Sequence, residues 1–136
     1  MLRYMLDTNV CIHVMRHPDT PIAARFKENE GGLCISTVTL HELLHGAEKS
    51  DRPAFQRALT LDLTSRLDIL DFDTAAASHS GEIHATLAKQ GQIIGAYDML
   101  IAGHARSLGL TVVTNNLREF TRVDGLRCED WLASAA

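Results

Sequence analysis

The segment Tyr4-Met5-Leu6-Asp7-Thr8-Asn9-Val10 decides the fold class. Its apolar part predicts a strand over residues 2–7, and Thr8 or Asn9 can then cap a short helix that runs to about Arg16. A strand that ends on a carboxylate and turns into a helix is the start of a strand–helix unit. In an open parallel sheet, the carboxyl ends of the strands form the ligand crevice, so Asp7 is placed where chemistry is carried out.

The remainder of the chain repeats this alternation of strands and helices. Strands are predicted over residues 33–35, 69–72 and 111–114, with a weaker one over 126–128, and the segments between them have helical patterns. One long helix is predicted to begin after a cap at Asp73, and another to stop at Gly109. The alternation favours parallel pairing. We therefore expect a single domain over residues 1–136, an α/β fold of three layers (α/β/α) with a small, mostly parallel sheet of four to five strands.

The composition suits one globular domain. The chain has 136 residues, of which 46% are hydrophobic, and this is enough to bury a sizeable core. No apolar run is long enough to span a membrane and no signal peptide is evident, so we expect a cytoplasmic protein without membrane contact. Cys11, Cys34 and Cys128 lack paired spacing and are expected to be free, buried thiols.

The charge and the aromatic content bear on nucleic-acid binding. A net charge of −4 counts mildly against a nucleic-acid binder, because phosphate contacts usually come from clustered Lys and Arg. It does not exclude one, since a group of metal-binding acids would itself make the sum negative. Only 5% of the residues are Phe, Trp or Tyr, so we expect no broad base-stacking surface.

Asp98 lies near the start of a helix predicted over residues 97–108. It shares a helical face with the apolar residues Ile101, Ala102 and Ala105. A carboxylate in line with an apolar stripe is unfavourable unless it is paired or binds a metal. The alternative is an acid in the first turn that the helix dipole stabilises. We favour the first interpretation, in which the carboxylate of Asp98 has a functional role.

Other polar residues at similar junctions are less distinctive. Asp7 can be interpreted as a helix cap, although Thr8 or Asn9 would cap equally well. Glu42 points away from the apolar stripe of its helix, so a solvated face or a capping box with Thr39 explains it as well. Three further residues follow the strand at 111–114 and offer oxygens for a turn, a hard cation or a substrate: Asn115, Asn116 and Glu119. Acids that converge on one crevice repel each other unless a cation neutralises them, so together these positions predict a divalent metal site.

The segment His41-Glu42-Leu43-Leu44-His45 matches the His-Glu-x-x-His pattern of zinc peptidases. In that pattern two histidines one helical turn apart bind zinc and the Glu acts as general base. The downstream glycine and third histidine of the extended pattern are replaced by Glu48 and Asp51. A zinc site would also leave Asp7 and Asp98 unexplained, so we do not favour it.

Four segments together resemble the PIN-domain ribonucleases, and among these the VapC toxins of type II toxin–antitoxin pairs. They are the residues 7–9, 36–43, 96–102 and 114–120, in the order and at the spacing of that family. The resemblance extends almost from end to end and implies that Asp7, Glu42 and Asp98 match the three invariant acids of the family motif. Asn116 stands where many PIN domains have aspartate, and Glu119 can supply the missing carboxylate.

The resemblance implies a mechanism. Mg²⁺, with Mn²⁺ as a plausible substitute, would bind mainly to Asp7 and Asp98, while Glu42 would bind it through water or orient the attacking water. Asn116 and Glu119 would complete the shell. The remaining polar residues would hydrogen-bond phosphate or the acids: Thr8, Asn9, Thr114 and Asn115.

The implied activity is hydrolysis of RNA phosphodiester bonds by an endoribonuclease. The expected substrate is tRNA cut in the anticodon loop, with initiator tRNA as the specific prediction. The resemblance also implies a VapB-type antitoxin encoded next to this chain, a homodimer, and DNA contact only through the antitoxin. The alternative is a PIN fold that binds RNA or a partner without cutting, which the amide at Asn116 leaves open.

Overall fold

The structure is a computed structural model that describes residues 1–132. Five parallel strands form one sheet in the order β3-β2-β1-β4-β5. They are β1 (Tyr4–Leu6), β2 (Leu33–Ser36), β3 (Asp68–Leu70), β4 (Thr111–Val113) and β5 (Arg127–Glu129). Because every pair is parallel, the carboxyl ends of all five strands meet at one edge of the sheet, and β1 lies at its centre. The predicted domain span includes residues 133–136, which lie outside the described residues.

Helices cover both faces of this sheet. They are α1 (Thr8–Arg16), α2 (Pro21–Glu28), α3 (Thr37–Glu48), α4 (Pro53–Thr64), α5 (Thr74–Lys89), α6 (Ala96–Leu108) and α7 (Leu117–Phe120). Met5 and Val112 pack with α5 and α6 in one apolar cluster, whereas Leu6 and Val113 pack with α1, α2 and α4 in another. Alternating strand residues thus face opposite layers, which confirms the predicted α/β/α fold. None of the helices in the described residues is long and apolar enough to cross a membrane.

Several predicted boundaries are wrong by one or two residues. The strand predicted over 69–72 is Asp68–Leu70, because the backbone N–H of Phe72 donates to the Thr37 hydroxyl instead of to a neighbouring strand. The strand predicted over 2–7 is Tyr4–Leu6, and Asp7 is the N-cap of the helix that follows. The short helix α7 was not predicted, since a single turn has no apolar periodicity.

The caps of the helices explain where they begin and end. Asp73 caps α5 as predicted, and Gly109 ends α6 in the left-handed conformation at φ 68°. The prediction that Thr8 or Asn9 caps α1 is wrong. Thr8 is already helical, so Asp7, whose backbone is extended, is the residue that caps. The cysteine prediction is confirmed in that all three are free thiols, with Cys11 and Cys34 buried and Cys128 partly buried.

Helices α5 and α6 approach each other closely at Gly103. A Cβ atom added to this glycine would lie 2.6 Å from the backbone nitrogen of Ser80 and 2.7 Å from its Cα. No side chain fits there unless the two helices separate. Because α6 also carries Asp98, this contact sets the position of that carboxylate relative to the sheet.

Candidate active site

The predicted acids come from separate segments and meet at the carboxyl edge of the sheet. Asp7 follows the central strand β1, Glu42 lies on α3 after β2, and Glu119 lies on α7 after β4. Asp98 is in the first turn of α6. The charges of Asp7 and Glu42 both raise the pKa of Asp98, and Glu119 forms a hydrogen bond with it. The structure therefore brings these acids together, although the sequence separates them widely.

Asp7 is the most deeply placed of these acids, with 2% of its surface exposed. Its Oδ1 accepts a hydrogen bond from the Val10 N–H at 2.9 Å, and its Oδ2 accepts one from the Thr114 hydroxyl at 2.5 Å. Thr114 in turn accepts from the Asn116 N–H at 2.8 Å. Burial raises the pKa of Asp7, and these hydrogen bonds oppose the rise. One side chain thus caps α1 and also presents a buried carboxylate to the site.

Glu42 is half-buried and is oriented by Thr8. The Thr8 hydroxyl donates to its Oε1 at 2.6 Å, across 34 residues of sequence. The capping-box alternative is wrong, because Ser36 is the N-cap of α3. The Thr39 hydroxyl is buried without a hydrogen-bond partner among the described residues. The solvated-face alternative is also wrong, since Glu42 is in contact with the start of α1.

Asp98 and Glu119 share a hydrogen bond between their carboxyl groups. Burial, and then this hydrogen bond, raise the pKa of Asp98 to about 7. The same hydrogen bond lowers the pKa of Glu119. Glu119 is held by two further donors, the Asn116 side-chain amide at 2.8 Å and the Gly95 N–H at 3.3 Å.

Asn116 occupies the position at which the family resemblance leads one to expect an aspartate. Its Nδ2 donates to Glu119, which leaves its Oδ1 for another group. Asn116 thus departs from the family pattern, but its side-chain amide orients the carboxylate of Glu119, three residues later. Asn9 and Asn115 are exposed at the same edge of the sheet, following β1 and β4 respectively.

The donor set suits a hard divalent cation. Every side-chain donor that the site offers is an oxygen, and Asp7, Glu42, Asp98 and Glu119 bring more negative charge than their surroundings neutralise. The salt bridges formed within residues 1–132 involve other carboxylates, although Arg122 is near enough to lower the pKa of Glu119. No group of three His, Cys, Asp or Glu side chains in that range is already arranged to hold a metal. The acids lie close enough for their charges to interact, and side chains would have to move for three of them to bind one ion.

Asp130 is a further acid at this edge that sequence reasoning did not select. It follows β5 directly, and its charge raises the pKa of Asp7. The rule that selected Asp7, an acid directly after a parallel strand, applies equally to Asp130. It was missed because β5 is a weak strand in the sequence.

The zinc-peptidase interpretation is not supported by the geometry of its two histidines. The rings of His41 and His45 are exposed and lie nearly parallel, at 13°, with centroids 6.3 Å apart. His41 Nε2 lies 3.3 Å from the Tyr97 hydroxyl. The two rings are stacked side by side along α3 instead of converging on a common point, as zinc ligands must.

Comparison with known proteins identifies the family. The model of the PIN domain matches residues 4–126. A tRNA(fMet)-specific endonuclease VapC of Shigella flexneri is 54% identical over 131 residues, which cover 96% of this chain and 99% of that protein. This chain belongs to the VapC family of PIN-domain ribonucleases. Ribonucleases of this family are metal-dependent, in agreement with the donor set described above.

Other VapC relatives match over the same length. Ribonuclease VapC2 of Haemophilus influenzae is 51% identical over 132 residues and is covered completely, at 100%. The crystal structure of DNA-bound VapBC from Salmonella typhimurium has a TM-score of 0.94 at 53% identity and covers 96% of this chain and 99% of that one. The structure of VapBC2 from Rickettsia felis, bound to a promoter DNA fragment, has a TM-score of 0.90 at 35% identity, with the same coverage.

Thr114→Val tests the hydrogen bonds that hold the central carboxylate of this VapC chain. The change leaves Asp7 without its hydroxyl donor and the Asn116 N–H without its acceptor, at nearly constant volume. We expect the free energy of unfolding to fall by about 1–3 kcal/mol and RNA cleavage to fall by about tenfold or more. Thr114→Ser keeps the hydroxyl and should behave like the wild type. Denaturant unfolding and a cleavage assay check both, and a Val variant that matches the Ser variant would contradict this role of Thr114.

Proposed function

We propose that this chain is the toxin of a type II toxin–antitoxin pair and an endoribonuclease that hydrolyses a phosphodiester bond of initiator tRNA in the anticodon loop. One observation supports the activity above all others, the convergence of Asp7, Glu42, Asp98 and Glu119 at the carboxyl edge of the sheet. The substrate is supported by the relatives named as tRNA(fMet)-specific endonucleases from Shigella flexneri and Salmonella typhimurium, at 54% and 53% identity. The whole of residues 1–136 is proposed to form one domain.

Asp7 and Asp98 are proposed to hold the metal ion, which we assign as Mg²⁺, with Mn²⁺ as a substitute. Bound metal would supply Lewis-acid activation of water and neutralise the charge that develops on the phosphate. Glu42, held by Thr8, positions the attacking water. Asn116 orients Glu119, and these two residues complete the oxygen donors at the edge of the sheet.

The remaining polar residues support the acids or face the substrate. Thr114 fixes the orientation of Asp7 through the 2.5 Å hydrogen bond, and Thr8 fixes Glu42 at 2.6 Å. Asn9 and Asn115 are exposed, and their amides are proposed to hydrogen-bond phosphate oxygens of the RNA. A single-stranded loop fits this site, because proteins reach splayed bases and exposed backbone most easily there.

The proposed partner is a VapB-type antitoxin encoded next to this chain. The two solved structures compared above, from Salmonella typhimurium and Rickettsia felis, are VapBC complexes bound to DNA. A groove of about 520 Å³ between α1, α2 and α4, with Val14, Phe26 and Leu63 in its lining, offers an apolar surface for such a partner. We further propose that the chain forms a homodimer, that DNA is contacted only through the antitoxin, and that the toxin acts in the cytoplasm, where tRNA is found.

The activity is tested with the purified chain and two transcribed RNAs, initiator tRNA and elongator methionine tRNA as the matched control. We expect a cut in the anticodon loop of initiator tRNA that EDTA abolishes and added Mg²⁺ restores. Mapping the RNA ends identifies the bond. Equal cutting of both tRNAs would contradict the proposed specificity for initiator tRNA. Binding of initiator tRNA without a cut in the presence of Mg²⁺ would contradict the activity and support the non-cutting alternative.

A further inference from the structure

Three exposed rings form a row on the surface beside the carboxylates. They belong to His45 and His41 on α3 and to Tyr97 on α6, and we call them the ring row. The His45 and His41 rings are nearly parallel with centroids 6.3 Å apart, and the His41 and Tyr97 centroids are 5.7 Å apart. Tyr97 is 45% exposed, although it is a large aromatic residue. A contiguous row of exposed rings indicates a binding surface more than a structural role.

The ring row begins at the rim of the acidic site. His41 directly precedes Glu42 on α3, and Tyr97 directly precedes Asp98 on α6. The contact between the Tyr97 hydroxyl and His41 Nε2 at 3.3 Å therefore joins the same two helices that bring these acids together. A strand of RNA whose phosphate lies among the carboxylates would have its neighbouring nucleotides beside these rings.

The chemistry of the rings suits unpaired bases better than phosphate. The Tyr97 hydroxyl is paired with His41 Nε2, and all three residues are exposed, so their rings are accessible to a base. Stacking on such surfaces tolerates any base, because every base has a π-face. It would also add affinity in a chain whose net charge of −4 gives little general attraction for RNA. Two of the rings are histidines, which a count of Phe, Trp and Tyr omits, so the low aromatic content does not contradict a small platform.

We propose that the ring row is a stacking platform for unpaired nucleotides of the RNA that flank the scissile phosphate. It rests on the proposed function, because it assumes that the chain binds single-stranded RNA at this site. Tyr97 and His41 would stack on the nucleotides nearest the cut, and His45 would extend the platform along α3. These residues position the substrate and take no part in the bond cleavage.

The test uses a stem-loop RNA with the anticodon arm of initiator tRNA and a second version whose loop nucleotides lack their bases. Tyr97→Ala and His41→Ala should raise KM for the intact loop by about tenfold each, with kcat nearly unchanged, because only uniform binding is lost. Tyr97→Phe keeps the ring face but loses the contact with His41 Nε2, so it should restore most of the affinity that Tyr97→Ala loses. Phe55→Ala removes a ring of similar exposure on α4 and is the matched control. Thermal unfolding of each variant confirms that the fold is retained.

Binding is followed independently with 2-aminopurine in the loop, whose fluorescence falls when it stacks. The wild type should quench it and the Ala variants should not, and on the baseless loop all variants should bind alike. The platform proposal would be overturned by equal KM values for wild type and Ala variants on the intact loop. It would also be overturned if the Ala variants lost the same affinity for the intact loop and for the baseless loop. If the wild type quenches 2-aminopurine but never cuts, the proposed activity fails and the platform stands, so the two failures are distinguishable.

Discussion

Asp7→Asn is expected to abolish RNA cleavage while leaving the fold intact. Asparagine caps helices as well as aspartate does, so the Val10 N–H keeps an acceptor and α1 keeps its start. The amide brings no negative charge to the cation, and we expect kcat to fall by about 10³-fold or more. Removing a buried charge beside Glu42 and Asp98 also relieves repulsion, so Tm should stay the same or rise.

The matched control for this variant is Asp73→Asn. Asp73 is also an aspartate at a helix N-cap, where its Oδ1 accepts from the Ala76 N–H at 2.9 Å, as Asp7 does from Val10. It lies outside the carboxylate group, so its variant should cleave RNA at the wild-type rate. Cleavage of initiator tRNA under single-turnover conditions measures both. An Asp7→Asn protein that cuts at the rate of the Asp73→Asn protein would remove Asp7 from the site.

Gly103→Ala is expected to give the largest loss of stability among single methyl additions within the helices. The new Cβ would meet backbone atoms of Ser80 at 2.6–2.7 Å, so α5 and α6 must move apart. We expect the free energy of unfolding to fall by about 3 kcal/mol, with a decrease in Tm that thermal unfolding readily detects. Since α6 carries Asp98, and a displacement of about 1 Å can cost about a hundredfold in rate, the surviving folded protein should also cleave RNA poorly.

Gly46→Ala and Gly81→Ala are the matched controls. Both glycines lie inside helices, on α3 and α5, and an added Cβ meets nothing within 4 Å. Alanine favours the helix over glycine, so these variants should gain up to about 1 kcal/mol. If Gly103→Ala unfolds at the same temperature as the controls, the close approach of α5 and α6 does not limit stability.

Much of the fold was predictable because the local signals were strong. The strand before Asp7, the cap at Asp73 and the stop at Gly109 each depend on a few neighbouring residues, and the predictions at Asp73 and Gly109 were confirmed. The order of the strands was not predictable, since pairing joins residues far apart in the sequence. The position of β3 also depended on a distant group, the Thr37 hydroxyl that accepts from the Phe72 N–H.

The site shows the same division between local and distant information. Asp98 could be selected from its own helix, because it lies in line with an apolar stripe. Glu42 could not be selected from its own helix, since the hydroxyl that orients its carboxylate belongs to Thr8, on another helix. The pairing of Asp98 with Glu119 depends on α7, a single turn that leaves no periodic signal. The assignment of catalytic and metal-binding roles to these residues stays a prediction until the variants above are measured.

The central position of β1 has a consequence for synthesis of the protein. Asp7, the first carboxylate of the site, is made before its hydroxyl partner Thr114, which follows 107 residues later, after the strand that must pair beside it. A nascent chain on the ribosome therefore lacks the hydrogen bond that holds Asp7 until β4 and Thr114 have been made. We therefore expect nascent chains that stop before Thr114 not to cleave RNA, so that an antitoxin has to bind the protein only after β4 has been made.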